Sequence, residues 1–509
     1  MFKAESCGSL EKIFAKSGVT TPCNQGSMLA NERYSFQVAF FSRWTLQTEC
    51  HIKIRSDLED RISFRVVEYA SGTYNLPVGH DENYLFRSDT VTSYPDILKP
   101  FTPTDLCLRP NLWTAVWFTV DGGTAGEHTI DITLTDGEGK ELCGCRYMLE
   151  VIDALLPVCD LPVSQWIHID SICAYHRVQP FTDEFYEVFG RYLDSYILHS
   201  GNTLYTPLFT PPLNTLCGEE RMTVQTVGVK TTENGYDFDF AALEKFIDFA
   251  RARGVKYFEL SHLATQWGAE FCPKIMAEEK GEVKRIFGWD TPSTGAAYKS
   301  FLAAFLPRLV DRLKAWGIKD KCLLHISDEP SAEHLPRYLQ LKEFIAAYAE
   351  GIPVADALSE YGFYSRKAVD LPVVDIYNTE PFRENAVKHL VYYCCSNHKN
   401  YVSNRFFNMP SQRNRILGMQ MYLNGAAGFL HWGFNFYNSY LSKTEINPFM
   451  VTDAGGFFQS GDSFVVYPSP DGVWESLRLE VFSDGIEDYR ALKTLEKRRG
   501  REFVVGLLE

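Results

Sequence analysis

Between residues 30 and 152 apolar and polar positions alternate with period two. Tyr34, Phe36, Val38 and Phe40 fall in one phase and Ser35, Gln37 and Ala39 in the other; Ile130, Ile132 and Leu134 alternate with Asp131 and Thr133 in the same way. Such alternation predicts half-buried strands, and turn formers at Asp121-Gly122-Gly123 and Asp136-Gly137 separate the runs. Residues 1–155 are therefore expected to form an antiparallel β-sandwich, with Asp153 to Pro162 as the linker. From 163 to 509 the texture changes to short apolar strands between longer stripes of helical spacing, the signature of a parallel sheet covered by helices. Phe240, Leu243, Phe246, Ile247 and Ala250 make one stripe that ends at Gly254; Tyr298, Phe301, Leu302, Phe305, Leu309, Leu313 and Trp316 make another that ends at Gly317. Candidate strands begin near Trp166, Asn202, Val255, Cys322, Ile352, Leu371, Asn400 and Gly428. Eight strands in about 270 residues is the size of a (β/α)8 TIM barrel, closed by an amphipathic helix from about Trp474 to Arg498. The fold expected is multidomain, a β-sandwich followed by a TIM barrel. Its weakest unit is the fifth, where little helical pattern follows Leu358.

In a barrel, strand residues opposite in phase to the helix-facing apolar ones point to the axis and carry chemistry near the C-terminal ends. The stretch Leu324-His325-Ile326-Ser327-Asp328-Glu329-Pro330 puts Leu324 and Ile326 outward and His325, Ser327 and Glu329 inward. Pro330 is expected to keep Glu329 extended. Asp328 lies in the other phase, and a bulge at the strand end would be needed to bring it beside Glu329. The same rule places Trp166, His168 and Asp170 inward on the first strand, and Asp375 and Tyr377 on the sixth. On the eighth it sets Phe429, His431, Gly433 and Asn435 against Leu430, Trp432 and Phe434. Candidate substrate contacts are thus His168, Asp170, Asp375, Tyr377, Trp432 and Asn435, with Trp267 and Asn202 as further strand-end candidates. Each has a plainer reading: a hydrogen-bonded core histidine, an internal salt bridge, a packed tryptophan, or, for Asp328-Glu329, the acidic start of a helix capped by Ser331.

Composition narrows the ligand. The 509 residues carry 50 basic and 65 acidic side chains, a net charge of -15, which disfavours nucleic acid as a partner. No run approaches the roughly 18 apolar residues that span a bilayer, and the N-terminus lacks an apolar signal segment. No membrane partner is expected, and a cytoplasmic location is, unless a leader was removed. Thirteen cysteines without paired spacing read as reduced thiols rather than a zinc site. No cofactor or metal motif is read, and nothing bears on oligomeric state. A barrel mouth with many polar groups and aromatics suits a glycan.

Adjacent carboxylates fit poorly to the two-carboxylate glycosidases, whose acids stand about 5–5.5 or 6.5–9.5 Å apart. They suit substrate assistance, in which the sugar's own 2-acetamido oxygen is the nucleophile, Glu329 is the acid/base, and Asp328 orients the acetamide. The segment His325 to Pro330 resembles the signature of the DUF4091 family, which includes glycoside hydrolase family 123. Asn31 to Gln37, Tyr94-Pro95-Asp96, Leu112-Trp113, Gly428 to Asn435, Leu477 to Glu480 and Asp484 to Tyr489 are similar to other landmarks of that family. The resemblance implies a sandwich joined to a TIM barrel, a retaining β-N-acetylgalactosaminidase with Asp328 and Glu329 as the catalytic pair, and Tyr377 in contact with the acetamide. Two alternatives stand beside it. One is a catalytically idle carbohydrate-binding protein of the same fold; the other is a metal-dependent barrel hydrolase using His168, Asp170, His262 and His325.

Overall fold

A computed structural model describes the chain except residues 74–75, 86–91, 104–105, 217 and 509. Its N-terminal part is two packed sheets. The larger has seven strands, ordered Phe2–Gly8, Arg33–Ser42, Leu112–Asp121, Ile62–Gly72, Thr92–Pro100, Gly472–Ser476 and Val466–Ser469. The smaller runs Gln25–Leu29, Glu141–Ile152, Gly126–Asp136 and Cys50–Arg55. Pairing is antiparallel apart from Gln25–Leu29, which lies parallel to Glu141–Ile152.

The alternation in Arg33–Ser42 has a different meaning from the one expected, because Ser35, Gln37 and Ala39 are buried as well. Phe36, Val38 and Phe40 enter the core between the two sheets with Ile130, Ile132 and Leu134. Ala39 packs with Trp117 on the opposite face, against Leu477 and Val481 of the helix Leu477–Arg499. That helix covers the sheet, so both faces of the strand leave water and the period-two pattern separates two interiors.

The C-terminal part is an eight-stranded parallel sheet. In chain order its strands are Val163–Gln165, Thr203–Thr206, Tyr257–Leu260, Cys322–Leu324, Ala357–Leu358, Val373–Asp375, Leu390–Tyr392 and Phe429–His431. The seventh lies about ten residues before the position expected near Asn400. The ladder runs from the fourth strand through the third, second, first, eighth, seventh and sixth to the fifth. Between fourth and fifth there is a single isolated bridge, Leu324 to Val354. The sheet is an open half-barrel, not the closed TIM barrel that the strand count predicts. The reason lies in the seam itself: beyond Leu324 the N–H groups of Ile326 and Ser327 go to the Asp356 carboxylate at 3.0 and 3.2 Å instead of to a neighbouring strand. A four-stranded sheet absent from the sequence reading, made of Gly228–Thr232, Gly235–Asp239, Ile275–Glu279 and Glu282–Phe287, is inserted among the units.

Two of the quoted motifs meet at the junction of the parts. Arg478 donates two hydrogen bonds of 2.9 Å to the Asp96 carboxylate, which Tyr467 also reaches. Glu480 on the same helix accepts from Arg65 and lies 3.1 Å from His199 Nε2. The hairpin Val466–Ser476 crosses the expected boundary and completes the N-terminal sheet, with Ser476 paired to Ile97 and Glu475 to Leu98. Among the described residues no helix is long and apolar enough to cross a membrane, and all twelve described cysteines are free.

Candidate active site

The C-terminal ends of the parallel strands surround a cavity that opens to solvent. Asp328 and Glu329 both line it, with Trp166, His168, Trp267, Tyr392 and Trp432 among the walls. The strand does not run through the pair, as Pro330 was expected to enforce. It ends at Leu324, and Glu329 takes a left-handed backbone with φ +44°. A non-glycine residue held there stores about 1–3 kcal/mol, and the neighbouring chain over-determines it. Ala264 N–H donates to Ile326 O at 2.9 Å and Trp267 N–H to Asp328 O at 2.9 Å, while Ser327 Oγ donates to Thr265 O at 2.8 Å. This clasp, together with Asp356 behind, fixes the irregular segment and turns both carboxyls into one cavity, which strand alternation alone forbids.

The electrostatics favour retained protons. Burial pushes the Asp328 carboxyl well above its ordinary range, with Glu329 and Asp356 adding to the effect and His325 opposing it. Glu329 is raised too, first by burial and further by Asp375, against the Tyr392 hydroxyl that donates to Oε1 at 2.8 Å. Burial together with the neighbouring acids disfavours ionising both carboxyls at once.

Beneath the pair lies a buried layer. His325 Nδ1 donates to Asp356 Oδ1 at 3.0 Å, and its ring stacks on His262 with centroids 4.6 Å apart. Burial opposes charge on His325, yet Asp356 and Glu259 outweigh it and push the imidazole up to about 10. Burial and that charge hold His262 well below its usual range. Glu259, fully buried on the third strand, accepts from Ser164 Oγ at 2.7 Å and Trp166 Nε1 at 2.9 Å. Donor atoms of His262, His325 and Asp356 lie within 4.8 Å of one another, and His262 Nε2 has no hydrogen-bond partner.

Of the expected contacts, His168, Trp267 and Trp432 line the cavity beside the pair. His168 Nε2 meets Trp432 O at 2.8 Å, and burial lowers this imidazole to about 4, so it is neutral. The remaining five sit elsewhere. Asn435 grips the backbone of His168, accepting from its N–H at 2.8 Å and donating to its carbonyl at 3.1 Å. Asp170 is not on a strand; the first strand ends at Gln165, and Asp170 occupies the first turn of the helix Ile169–His176, ion-paired to Arg221. Asp375 accepts from Tyr377 N–H and Asn397 Nδ2, both at 2.8 Å. Tyr377 Oη accepts from the N–H groups of His398 and Lys399 at 2.6 and 2.7 Å, so its hydroxyl anchors a loop. Asn202 bonds Val163 N–H and Leu161 O before the second strand begins, at the end of the sheet opposite the cavity.

Sequence reasoning missed Tyr392, Asp356 and Glu259. Tyr392 was hidden because the seventh strand was sought near Asn400. Asp356 and Glu259 carry the signal the phase rule uses, an acid between apolar neighbours in Val354 to Leu358 and Phe258 to Leu260.

Paired carboxyls at the C-terminal ends of a parallel sheet, in a cavity walled by tryptophans, define an α/β enzyme with acid–base equipment for a polar ligand. The family model described as glycoside hydrolase 123, catalytic domain, matches residues 166–495. The chain belongs to that family and is a glycoside hydrolase by class. Among solved structures it is similar to a family 123 glycoside hydrolase from Clostridium perfringens, studied for glycolipid glycan hydrolysis, at 14% identity over 98% of this chain and 89% of the other, with a TM-score of 0.77. That likeness concerns the fold. A β-glucuronidase from Parabacteroides merdae is matched at 10% identity over 89% of this chain and 50% of its own, with a TM-score of 0.36. No curated protein matches.

Proposed function

We propose that the chain is a retaining exo-glycosidase that removes terminal β-linked N-acetylhexosamine, N-acetylgalactosamine in the first place, with the sugar's 2-acetamido group as nucleophile. The observation that carries this reading is that two sequence-adjacent carboxyls share one cavity. Glu329 protonates the leaving oxygen. Asp328 accepts from the acetamide N–H and stabilises the oxazolinium charge as the acetamido oxygen closes on the anomeric carbon. Water then opens the ring with Glu329 as base, which returns the original anomer. In the free enzyme burial raises both carboxyls. An arriving acetamide N–H stabilises the Asp328 carboxylate and leaves a proton to Glu329, where the first step needs it. Trp267, Trp432 and His168 form the wall for the apolar face of the sugar, and the C. perfringens relative's action on a glycolipid glycan supports a glycan as substrate.

A second reading has its own observation. His262, His325 and Asp356 present three donors close enough for one cation, with Asp356 where His168 and Asp170 were expected, and His262 Nε2 is a buried donor atom without a partner. A divalent ion there would supply Lewis-acid chemistry below the pair. Against it, Asp356 already accepts from Ile326 N, Ser327 N, His325 Nδ1 and Tyr338 Oη. A panel of nitrophenyl glycosides separates the readings. Release from 2-acetamido sugars alone, with retained anomer by NMR, loss in Glu329→Gln and indifference to chelator, supports substrate assistance. Loss on chelation with a stoichiometric metal in the protein favours the cation, and silence across the panel favours an idle binding protein.

A further inference from the structure

We propose that Asp462 is a positioning residue that fixes the Trp432 indole as a wall of the sugar site, a role that rests on the glycosidase reading above. Asp462 is fully buried behind the cavity, on the segment that leads from the eighth strand to the hairpin Val466–Ser476. Its Oδ2 accepts from Trp432 Nε1 at 3.2 Å. Its Oδ1 has no hydrogen-bond partner and lies 3.5 Å from His431 Nε2. His431 Nδ1 accepts from Arg405 Nη2 at 2.7 Å and from Gly433 N–H at 3.0 Å, which leaves the ring proton on Nε2, facing the carboxylate. Arg405, itself buried, also donates to the backbone carbonyl of Asp462 at 2.9 Å and to Gln165 Oε1 at 2.6 Å. The result is a chain from Arg405 through His431 and Asp462 that ends on the indole, whose ring lines the cavity with Glu329.

A carboxylate is an expensive choice for mere packing, since a buried oxygen without a partner costs more than an apolar side chain would. What an acid adds is a stronger acceptor for the indole N–H when ionised. Burial pushes Asp462 up to about 7, against Arg405, the Trp432 hydrogen bond and Arg478. The other titratable groups facing it are His431, held neutral by burial, and Tyr393 and Cys394, both raised. The strength of the tether therefore changes across neutrality, firmer above and weaker below.

Steady-state kinetics on a nitrophenyl 2-acetamido glycoside from pH 6 to 8, with tryptophan fluorescence titrated in parallel, test this. Asp462→Ala is expected to raise KM by about tenfold with kcat within about threefold, the pattern of lost ground-state positioning. Asp462→Asn keeps an acceptor oxygen without the charge; it is expected to hold KM within about threefold of the wild-type value at low pH and to flatten its pH dependence. The wild-type fluorescence should show a transition near neutrality that is absent in Asp462→Asn and in Trp432→Phe. An unchanged KM in Asp462→Ala, or a transition that survives in Asp462→Asn, overturns the proposal. Should Asp462→Ala not fold, the Asp462→Asn titration decides alone. The fluorescence needs no turnover, so an enzyme silent on every glycoside refutes the substrate reading while leaving the tether on trial.

Discussion

Replacing Asp96 by Ala should destabilise the whole chain, because Asp96 is the N-terminal half of the buried clasp on Arg478. Both side chains are almost fully buried, at 1% and 3% exposure. Three hydrogen bonds converge on the carboxylate, two from the guanidinium and one from Tyr467. Arg478 keeps two partners after the change, the carbonyls of Gly461 and Phe464, but its charge is left uncompensated. Removing one member of such a pair costs about 3–5 kcal/mol, which for large domains corresponds to a fall in Tm of roughly 6–20 °C. Differential scanning calorimetry measures it. Replacing both partners, Asp96→Leu with Arg478→Met, removes the stranded charge and should recover a good part of the loss, since apolar substitutes for buried pairs are often near neutral. A single variant that melts within about 2 °C of wild type, or a double variant that loses the sum of the singles, would refute the view that the clasp is one electrostatic unit.

Other expectations follow from the site. Glu329→Gln should lower kcat/KM by about 10²–10⁴-fold on substrates with a poor leaving group, with far less loss on an activated aryl glycoside; equal losses on both would argue against an acid role. Tyr392→Phe removes the hydroxyl that favours ionised Glu329, so the glutamate's proton is held to higher pH and the alkaline limb of the kcat/KM profile should move upward; a downward move contradicts the assigned hydrogen bond. If the buried histidine layer is a hydrogen-bonded support and not a metal site, prolonged dialysis against a chelator leaves activity intact and elemental analysis finds less than stoichiometric metal.

The two-part architecture was legible because burial imposes periodicity, and periods of two and of 3.6 survive in any well-packed element. The pair Asp328-Glu329 was legible from the apolar run ahead of it, although for a partly mistaken reason. The strand stops at Leu324 and a left-handed residue does the turning, which depends on partners at Thr265, Trp267 and Asp356 that no local pattern announces. The open seam has the same origin, since hydrogen bonds that leave a ladder for a side chain cannot be read from spacing. Asp170, Tyr377 and Asn435 illustrate the converse. Their phase was judged as if each strand ran past them, whereas first, sixth and eighth strands end at Gln165, Asp375 and His431, and beyond a strand end alternation carries no directional information.

The hairpin that completes the N-terminal sheet has a temporal consequence. Strand Thr92–Pro100 gains its outer neighbour from residues 472–476, which leave the ribosome hundreds of residues later. Throughout that interval its free edge is a template for wrong pairing. These later-made strands therefore act as a completion seal for a sheet whose other strands are made well before them.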